Sequence, residues 1–492
     1  MSFGPKRGHP IYIFENINDF VLLFIALIIA LFKGDMSIFT SNLAYDVIIF
    51  AMPFIRLVSY LTTYISVDDQ KLTVRSGWLF KKHMEIPVAT ITTIDFSQGV
   101  FHQMLGAYKV KIDNAGNMSG DVTKISMSFG KEDATKLKEL LQPGKAGLDG
   151  FNLESDGDEK LEGKAGEYYF SMGDLALMGA IKDKGKFLLQ LIAIVCGGSS
   201  FLAGIVTVSE AGLEHQGARI VNSLGLIWVA VILIAGIFLL SIAAGSIGAV
   251  IKYYGFHISD SGDTIRIRYG LLTRKSYTIH KSRISGFYYE QSILMRCMKT
   301  GTLHCYAIGY GGDSSDEDTS EDPILIPLIK SAELRRTMAG ILPEMAEAGE
   351  REKPLGRSWY YFLYSWSVLL SLIVLAGLIV LPYFFPAASQ FWIMGLAILA
   401  MAFAGAMMQH YNTSIYGNGN NISISSGGFN KTTVFVKTRN VESVYETAGY
   451  FKHKKGVTTV VIGFIAPLAT SGAKARNVSV EAFENIRNRL IY

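Results

Sequence analysis

The chain has 492 residues, of which 50% are hydrophobic and only 18% charged. A soluble globular chain carries about 25% charged residues; the shortfall, with a mean hydropathy of +0.29, excludes a disordered or fibrous protein and points to membrane spans. The net charge of +4 is too slight to indicate nucleic acid, and Cys196, Cys297 and Cys305 are too few for a secreted disulfide framework.

The predicted elements begin with a transmembrane hairpin over residues 1–62. A bilayer core of about 30 Å takes roughly 20 helical residues, and such runs are expected over 13–32 and 43–61. Lys6 and Arg7 precede the first run, which ends in Lys33-Gly34-Asp35 without a small-residue cleavage site. It therefore reads as a retained anchor and not as a cleaved signal peptide. The second run holds Asp46, Pro53 and Arg56. Ionisable residues within a span are costly and often functional, so Asp46 and Arg56 form a candidate intramembrane polar site. About 15 Å of helix separates them, too far for a direct pair. The other reading is that each snorkels from an end of a short helix. Pro53 reads as a kink whose freed carbonyl a neighbouring helix satisfies.

A β-rich domain is expected over 63–142. Apolar and polar residues alternate from Tyr64 onward, the mark of a sheet with one buried face, and the stretch closes in an amphipathic helix over 131–141. Residues 143–186 follow as a linker. Its first part is rich in glycine and charge and reads as flexible. Residues 171–185 read as a short helix, set either on the membrane surface with Leu175, Leu177, Met178 and Ile181 towards lipid, or buried against the bundle. A second hairpin spans 187–251, with helices over 187–208 and 224–251. The small residues of the latter (Gly236, Ala243, Ala244, Gly245 and Gly248) read as a close-packing face.

The same pattern then returns twice. A second β-rich domain covers 252–345, a linker 346–358, a third hairpin 359–410 with helices over 361–385 and 391–408, and a third β-rich domain 411–492. Leu72, Val74 and Gly77 match Ile265, Ile267 and Gly270 at a shift of 193, and Ile422, Ile424 and Gly427 at a shift of 350. At the same shifts Ile86, Ile91 and Ile94 match Ile279, Ile284 and Phe287, then Val436, Val441 and Val444. Gly77, Gly270 and Gly427 stand where a strand must turn. Gly106, Gly301 and Gly456 each open a further strand, the second displaced by two residues. Closing helices are expected over 331–342 and 479–491, with Ser331 and Ser479 as N-caps. An amphipathic helix plugging a curved sheet would bury both faces. Exposed sheet edges would be free to pair with each other or with a partner.

The order of hairpin, L-x-V-x-x-G-x-L strand pair, x-I-P-x-x-x-I-x-x-I and closing helix resembles the bacterial PH type-2 domain. Three such units in one chain, with His9-Pro10 at the start and SMGDLALMGAIKDKG before the third helix, resemble the YdbT-like bacterial PH-domain membrane proteins. The third unit departs from the pattern, with Lys437 where Pro87 stands in the first. The resemblance implies an α + β membrane protein: six transmembrane helices in three hairpins, each followed by a PH-like β-barrel of seven strands capped by a C-terminal helix. It further implies no enzymatic activity, a smaller single-PH-domain membrane protein as partner, and a role in resistance or immunity against membrane-active peptides.

The basic residues set an orientation. The hairpin loops hold only Lys33 and Arg219, whereas Lys6, Arg7, Lys182, Lys184, Lys186, Lys252, Arg351, Lys353 and Arg357 mark the other ends. The positive-inside rule then puts both termini and all three domains on the cytoplasmic side of the plasma membrane. Basic residues also recur at one turn: Lys81, Arg274 and Lys431 align, with Lys82 and Lys275 beside the first two. They are candidate contacts for anionic headgroups or a partner, or simply charges that keep a turn solvated. The acidic segment 311–322 reads as a solvated loop or a dock for a basic partner.

Catalytic signatures are missing: no phosphate loop, no dinucleotide fingerprint, no H-E-x-x-H and no G-x-S-x-G. No metal or cofactor site is read, and Cys297 and Cys305 read as core thiols. Trp359, Tyr360, Tyr361 and Trp366 suit a membrane interface. The expected function is thus a non-enzymatic membrane scaffold whose partners are lipid, a smaller PH-domain subunit and membrane-active peptides. The alternative is a transporter or channel component, against which the spans hold few polar residues and lack paired broken helices.

Overall fold

The computed structural model describes residues 3–14, 54–141, 167–182, 216–307, 323–345, 351–352, 358–384, 392–417 and 420–491, apart from breaks at 69–70, 79, 89–90, 115–124, 364 and 467–468. Two compact units result: residues 1–169 with 255–279, and 170–254 with 280–492. Residues 142–166 and 308–322, the parts 15–32 and 43–53 of the expected spans over 13–32 and 43–61, and the whole expected span over 187–208 lie outside the described residues.

In the first unit, β1 (Phe3–Lys6), β2 (Tyr64–Asp68), β3 (Lys71–Ser76) and β4 (Lys82–Pro87) form an antiparallel sheet in chain order. The second sheet has seven strands: β5 (Ile91–Gln98), β6 (Ala107–Asn114), β7 (Ile125–Gly130), β8 (Glu167–Tyr169), β9 (His257–Asp260), β10 (Thr264–Tyr269) and β11 (Arg274–His280). Their order is β7-β6-β5-β11-β10-β9-β8. Alternation does what the sequence pattern requires. Ile65, Val67, Leu72, Val74 and Ile86 meet Val110, Ile112 and Phe129, and helix Lys131–Leu141 inserts Ala134, Leu137 and Leu141. Burying each large apolar side chain contributes about 1.5–3 kcal/mol.

The second unit repeats this plan. β12 (Ile284–Gln291), β13 (Thr300–Ala307), β14 (Ile324–Lys330), β15 (Arg351–Glu352), β16 (Ser414–Gly417), β17 (Asn421–Ser426) and β18 (Lys431–Lys437) run in the order β14-β13-β12-β18-β17-β16-β15. β19 (Val441–Thr447), β20 (Val457–Ala466) and β21 (Ala469–Ser479) make a three-stranded sheet. Helix Val480–Ile491 covers the core with Ala482, Phe483 and Ile486 against Ile422, Val436, Ile462 and Phe464. Ser479 caps it, its Oγ accepting from the Ala482 N–H at 3.1 Å.

Among the described residues two helices are long and apolar enough to cross a membrane, Ala235–Tyr253 at the end of Gln216–Tyr253 and Trp366–Phe384. Trp392–Asn412 is a further apolar helix, and residues 54–62 are helical. Three of these lead within a few residues into a strand: 62 into β2, Tyr253 into β9, Asn412 into β16.

Several expectations are corrected. The closing helix of the second repeat starts at Leu334 with Glu333 as N-cap, so Ser331 does not cap it. Ser331 instead meets the Tyr289 hydroxyl at 3.0 Å and accepts from Gln291 Nε2 at 3.2 Å. Gly301 is not the counterpart of Gly106 and Gly456. The left-handed position is Lys299, at φ 56, beside φ 62 and 70 for the two glycines, and 299 is 106 shifted by 193 without displacement. Gly301 lies inside β13, where a Cβ would strike the Tyr289 ring. Cys305 is buried in the core but Cys297 is exposed. The fifth expected span is divided: Trp359–Leu363 is separate from Trp366–Phe384. Of the two readings of 171–185, the buried one holds for Met172–Ile181. Leu175, Met178 and Ile181 are buried, and Gly179 lies so close to Gly245 and Ala249 that no side chain fits between.

Candidate interaction surface

The recurring turn is built on one glycine conformation. Gly77, Gly270 and Gly427 adopt φ 98, 109 and 114, and a Cβ on each would collide with the carbonyl oxygen of Phe80, Thr273 or Asn430. Left-handed backbone costs a residue with a Cβ about 1–2 kcal/mol, and here the collision adds to it. Each turn delivers the basic position into the fourth strand of its repeat. Lys81 and Lys82 are exposed at the start of β4. Arg274 and Lys275 open β11, and Lys431 opens β18.

The five basic residues therefore fall in two settings. Arg274, Lys275 and Lys431 stand where one repeat is sewn to the next. β11 of the second repeat pairs antiparallel with β5 of the first, Arg274 opposite Gln98, Lys275 opposite Ser97 and Ser276 opposite Phe96. β18 of the third pairs with β12 of the second, from Lys431 opposite Gln291 to Val436 opposite Gly286. With the shifts of 193 and 350 removed, both joints have one register, the position of residue 81 facing the position of residue 98. Period-two side-chain alternation makes such a register specific, because a one-residue slip would reverse every face. Lys81 and Lys82 form the other setting, at the start of β4, which among the described residues has only β3 as a neighbour in its sheet.

A second contact recurs at each joint. After β5 and β12 a short helix follows, Val100–Met104 and Ile293–Cys297. Gln103 Nε2 donates to the Leu272 carbonyl at 2.8 Å. Arg296, at the same place in the second repeat, donates from Nη2 to the Phe429 carbonyl at 2.9 Å and from Nη1 to Asn412 Oδ1 at 2.8 Å. Asn412 Nδ2 in turn donates to Gly427 and Gly428 carbonyls at 2.8 Å. Leu272 and Phe429 are equivalent turn residues, so each helix grips the turn of the following repeat. Burial lowers the pKa of Arg296 from its usual value, yet a guanidinium remains charged at any neutral pH. Gln98 and Gln291 secure the donor strands by bonding the Ala107 and Thr300 carbonyls at 3.0 and 2.8 Å; Ala448 takes that place in the third repeat.

Of the candidate polar pair, Asp46 lies outside the described residues, and the Arg56 guanidinium sits over the Tyr12 ring at 5.8 Å. It joins a set of cation–aromatic contacts at helix ends, with Arg7 over Tyr64 and Lys452 over Tyr361 at 4.9 and 5.1 Å. Such contacts are each worth about 0.5–1 kcal/mol where exposed. Lys437, the departure from Pro87, is buried and meets Glu344 at 3.2 Å, which Arg439 also approaches at 3.4 Å. Among the described residues no three His, Cys, Asp or Glu side chains gather as a metal would need.

Sequence reasoning found the basic turn but missed Gln103, Arg296 and their grip on the next turn. The signal was available in the alignment, since 103 and 296 differ by the same 193, but a Gln and an Arg share only the ability to donate.

A family model described as Bacterial PH domain matches residues 14–145, 187–344 and 370–492. Among curated proteins the chain is similar to UPF0699 transmembrane protein YdbT of Bacillus subtilis (strain 168), 21% identical over 478 residues that cover 94% of this chain and 92% of that protein. No solved structure matches.

Proposed function

Because the chain belongs to the bacterial PH domain family, in its YdbT-like form, we propose that it is a non-enzymatic, multi-pass scaffold of the plasma membrane that contributes to resistance against membrane-active peptides. Six helices in three hairpins would carry three PH-like domains, with both termini and all domains cytoplasmic. The observation that supports a scaffold best is the pair of seven-stranded sheets, each composed of strands from two successive repeats. A ligand-binding module needs no such fusion. A platform that must hold several membrane hairpins in fixed spacing does, because each of these sheets has one strand entered directly from an apolar helix: Tyr253 precedes β9 and Asn412 precedes β16 by a few residues. A peptide or disturbed lipid held among the hairpins would then be resisted by a rigid array and not by a single helix pair. A smaller membrane protein with one such domain is the expected partner subunit.

The test is a sensitivity measurement. The gene is deleted alone and together with any adjacent gene for a single-PH-domain protein, and cells are exposed to pore-forming bacteriocins and cationic peptides. Selective hypersensitivity, reversed by this chain only when the smaller protein is present, is the expected result. Unchanged survival across the panel would remove the protective role.

A further inference from the structure

The two joints leave one half of the same joint at each end of the series. Every joint pairs a fourth strand with the fifth strand of the preceding repeat: β11 with β5, β18 with β12. What remains is the fourth strand of the first repeat, β4, and the fifth strand of the third, β19. Among the described residues each stands at the edge of its sheet, with β3 and β20 respectively as its neighbour. We infer that these edges are the two faces of a third joint, made between two copies of the chain, β4 of one copy adding to β19 of the next.

The residues support the pairing at several levels. Carrying the common register over sets Lys82 opposite Thr447, His83 opposite Glu446 and Met84 opposite Tyr445. Met84 and Tyr445 occupy the places of Val434 and Tyr288, which face each other in the second joint, so an aliphatic side chain again meets a tyrosine. Glu446 Oε2 is withdrawn from solvent without a hydrogen-bond partner among the described residues, while its Oε1 lies 3.8 Å from His453 Nε2 of the same chain; the register brings beside it His83, whose Nε2 meets Glu85 Oε1 at 3.3 Å within its own strand. An orphaned carboxylate oxygen is costly unless something fills it.

The second contact also has its two halves in place. His453 stands on helix Tyr450–Lys454 at the position of Gln103 and Arg296. The turn it would grip carries Trp78 and Phe80, 68% and 85% exposed, and Tyr450 on the helix itself is 74% exposed. Large aromatics left this open mark interaction surfaces.

Lysine on an edge strand commonly serves to prevent pairing. Here that reading fails on the protein's own precedent, since Arg274, Lys275 and Lys431 occupy the same places and their strands are paired. The contact is heterologous, one edge meeting a different edge, so it propagates into a ring or a row and not into a two-fold dimer. The inference does not depend on a protective role.

The full-length chain is tested in its membrane. Two differently tagged copies are co-expressed, one carrying Lys82→Cys and the other Thr447→Cys, and are oxidised mildly before mass-spectrometric mapping. A disulfide between positions 82 and 447 of the two copies, with no 82–82 or 447–447 linkage, is expected. A second variant, Glu446→Lys, is expected to abolish the linkage while leaving the chain in the membrane. No linkage, linkage of Thr447→Cys only to a smaller chain, or closure within one chain when both cysteines share it would overturn the proposal.

Discussion

Arg296 carries the second joint, and its replacement tests the joint most sharply. The guanidinium makes two hydrogen bonds to oxygen, to the Phe429 carbonyl and to Asn412 Oδ1, and a longer one to Met408 Sδ at 3.9 Å. A hydrogen bond to a charged group contributes about 1.5–3 kcal/mol. Two such bonds give about 3–6 kcal/mol, but Nε is buried without a partner among the described residues, and desolvation of that edge offsets part of the gain. Arg296→Ala should therefore weaken the joint by about 3 kcal/mol, at 1.4 kcal/mol for each tenfold. The reading is amide hydrogen–deuterium exchange on residues 284–291 and 431–437 in detergent or nanodiscs, where exchange should become roughly a hundredfold faster if the joint opens locally. Arg296→Gln restores the arrangement of the first joint, where Gln103 bonds Leu272, and should recover about half of the loss. Unchanged exchange in the alanine variant, or a glutamine variant as fast as the alanine one, would refute the role assigned to this contact.

Other substitutions follow from local geometry. Gly427→Ala forces a Cβ into the Asn430 carbonyl at φ 114 and should cost about 1–3 kcal/mol in denaturant midpoint measurements. Lys299→Gly should be neutral or stabilising by up to about 1 kcal/mol, because Lys299 sits at φ 56 where glycine is at ease. Ser479→Ala removes the cap of the last helix and should destabilise it by about 1 kcal/mol, read by exchange over 480–491. The Glu85 carboxylate is held below its ordinary pKa by hydrogen bonds from Lys71 and His83 and by the Lys71 charge. A lowered carboxylate pKa gives stability that is present above the unfolded value and lost as pH falls through the folded one. Glu85→Gln should therefore flatten the acid limb of the first sheet's stability profile slightly, the group being exposed.

Much of the fold was legible because its causes are local. Alternation placed β3, β10 and β17, and the demand for left-handed backbone placed Gly77, Gly270 and Gly427. Amphipathic spacing placed the three closing helices to within three residues at each end. Two features were misread where one residue type substituted for another. Lys299 took a left-handed position that glycine signals elsewhere, and Glu333 displaced Ser331 as the N-cap because Ser331 is bound to Tyr289 and Gln291. The joints were not legible in detail. Edge pairing depends on which strand reaches which, and hydrophobic pattern fixes the face of a strand, not its neighbour. The basic turn was visible as a recurrence, but charge alone could not separate a headgroup contact from a sheet joint.

The central claim is that successive repeats share one sheet, and a single disulfide tests it most directly. Ser97→Cys and Lys275→Cys are introduced into one full-length chain, since the two positions face each other across β5 and β11. After mild oxidation in the membrane, mass-spectrometric mapping should find the 97–275 linkage within single chains. Failure to form it, while a 73–85 cysteine pair across β3 and β4 forms readily, would contradict the continuous sheet and with it the rigid array.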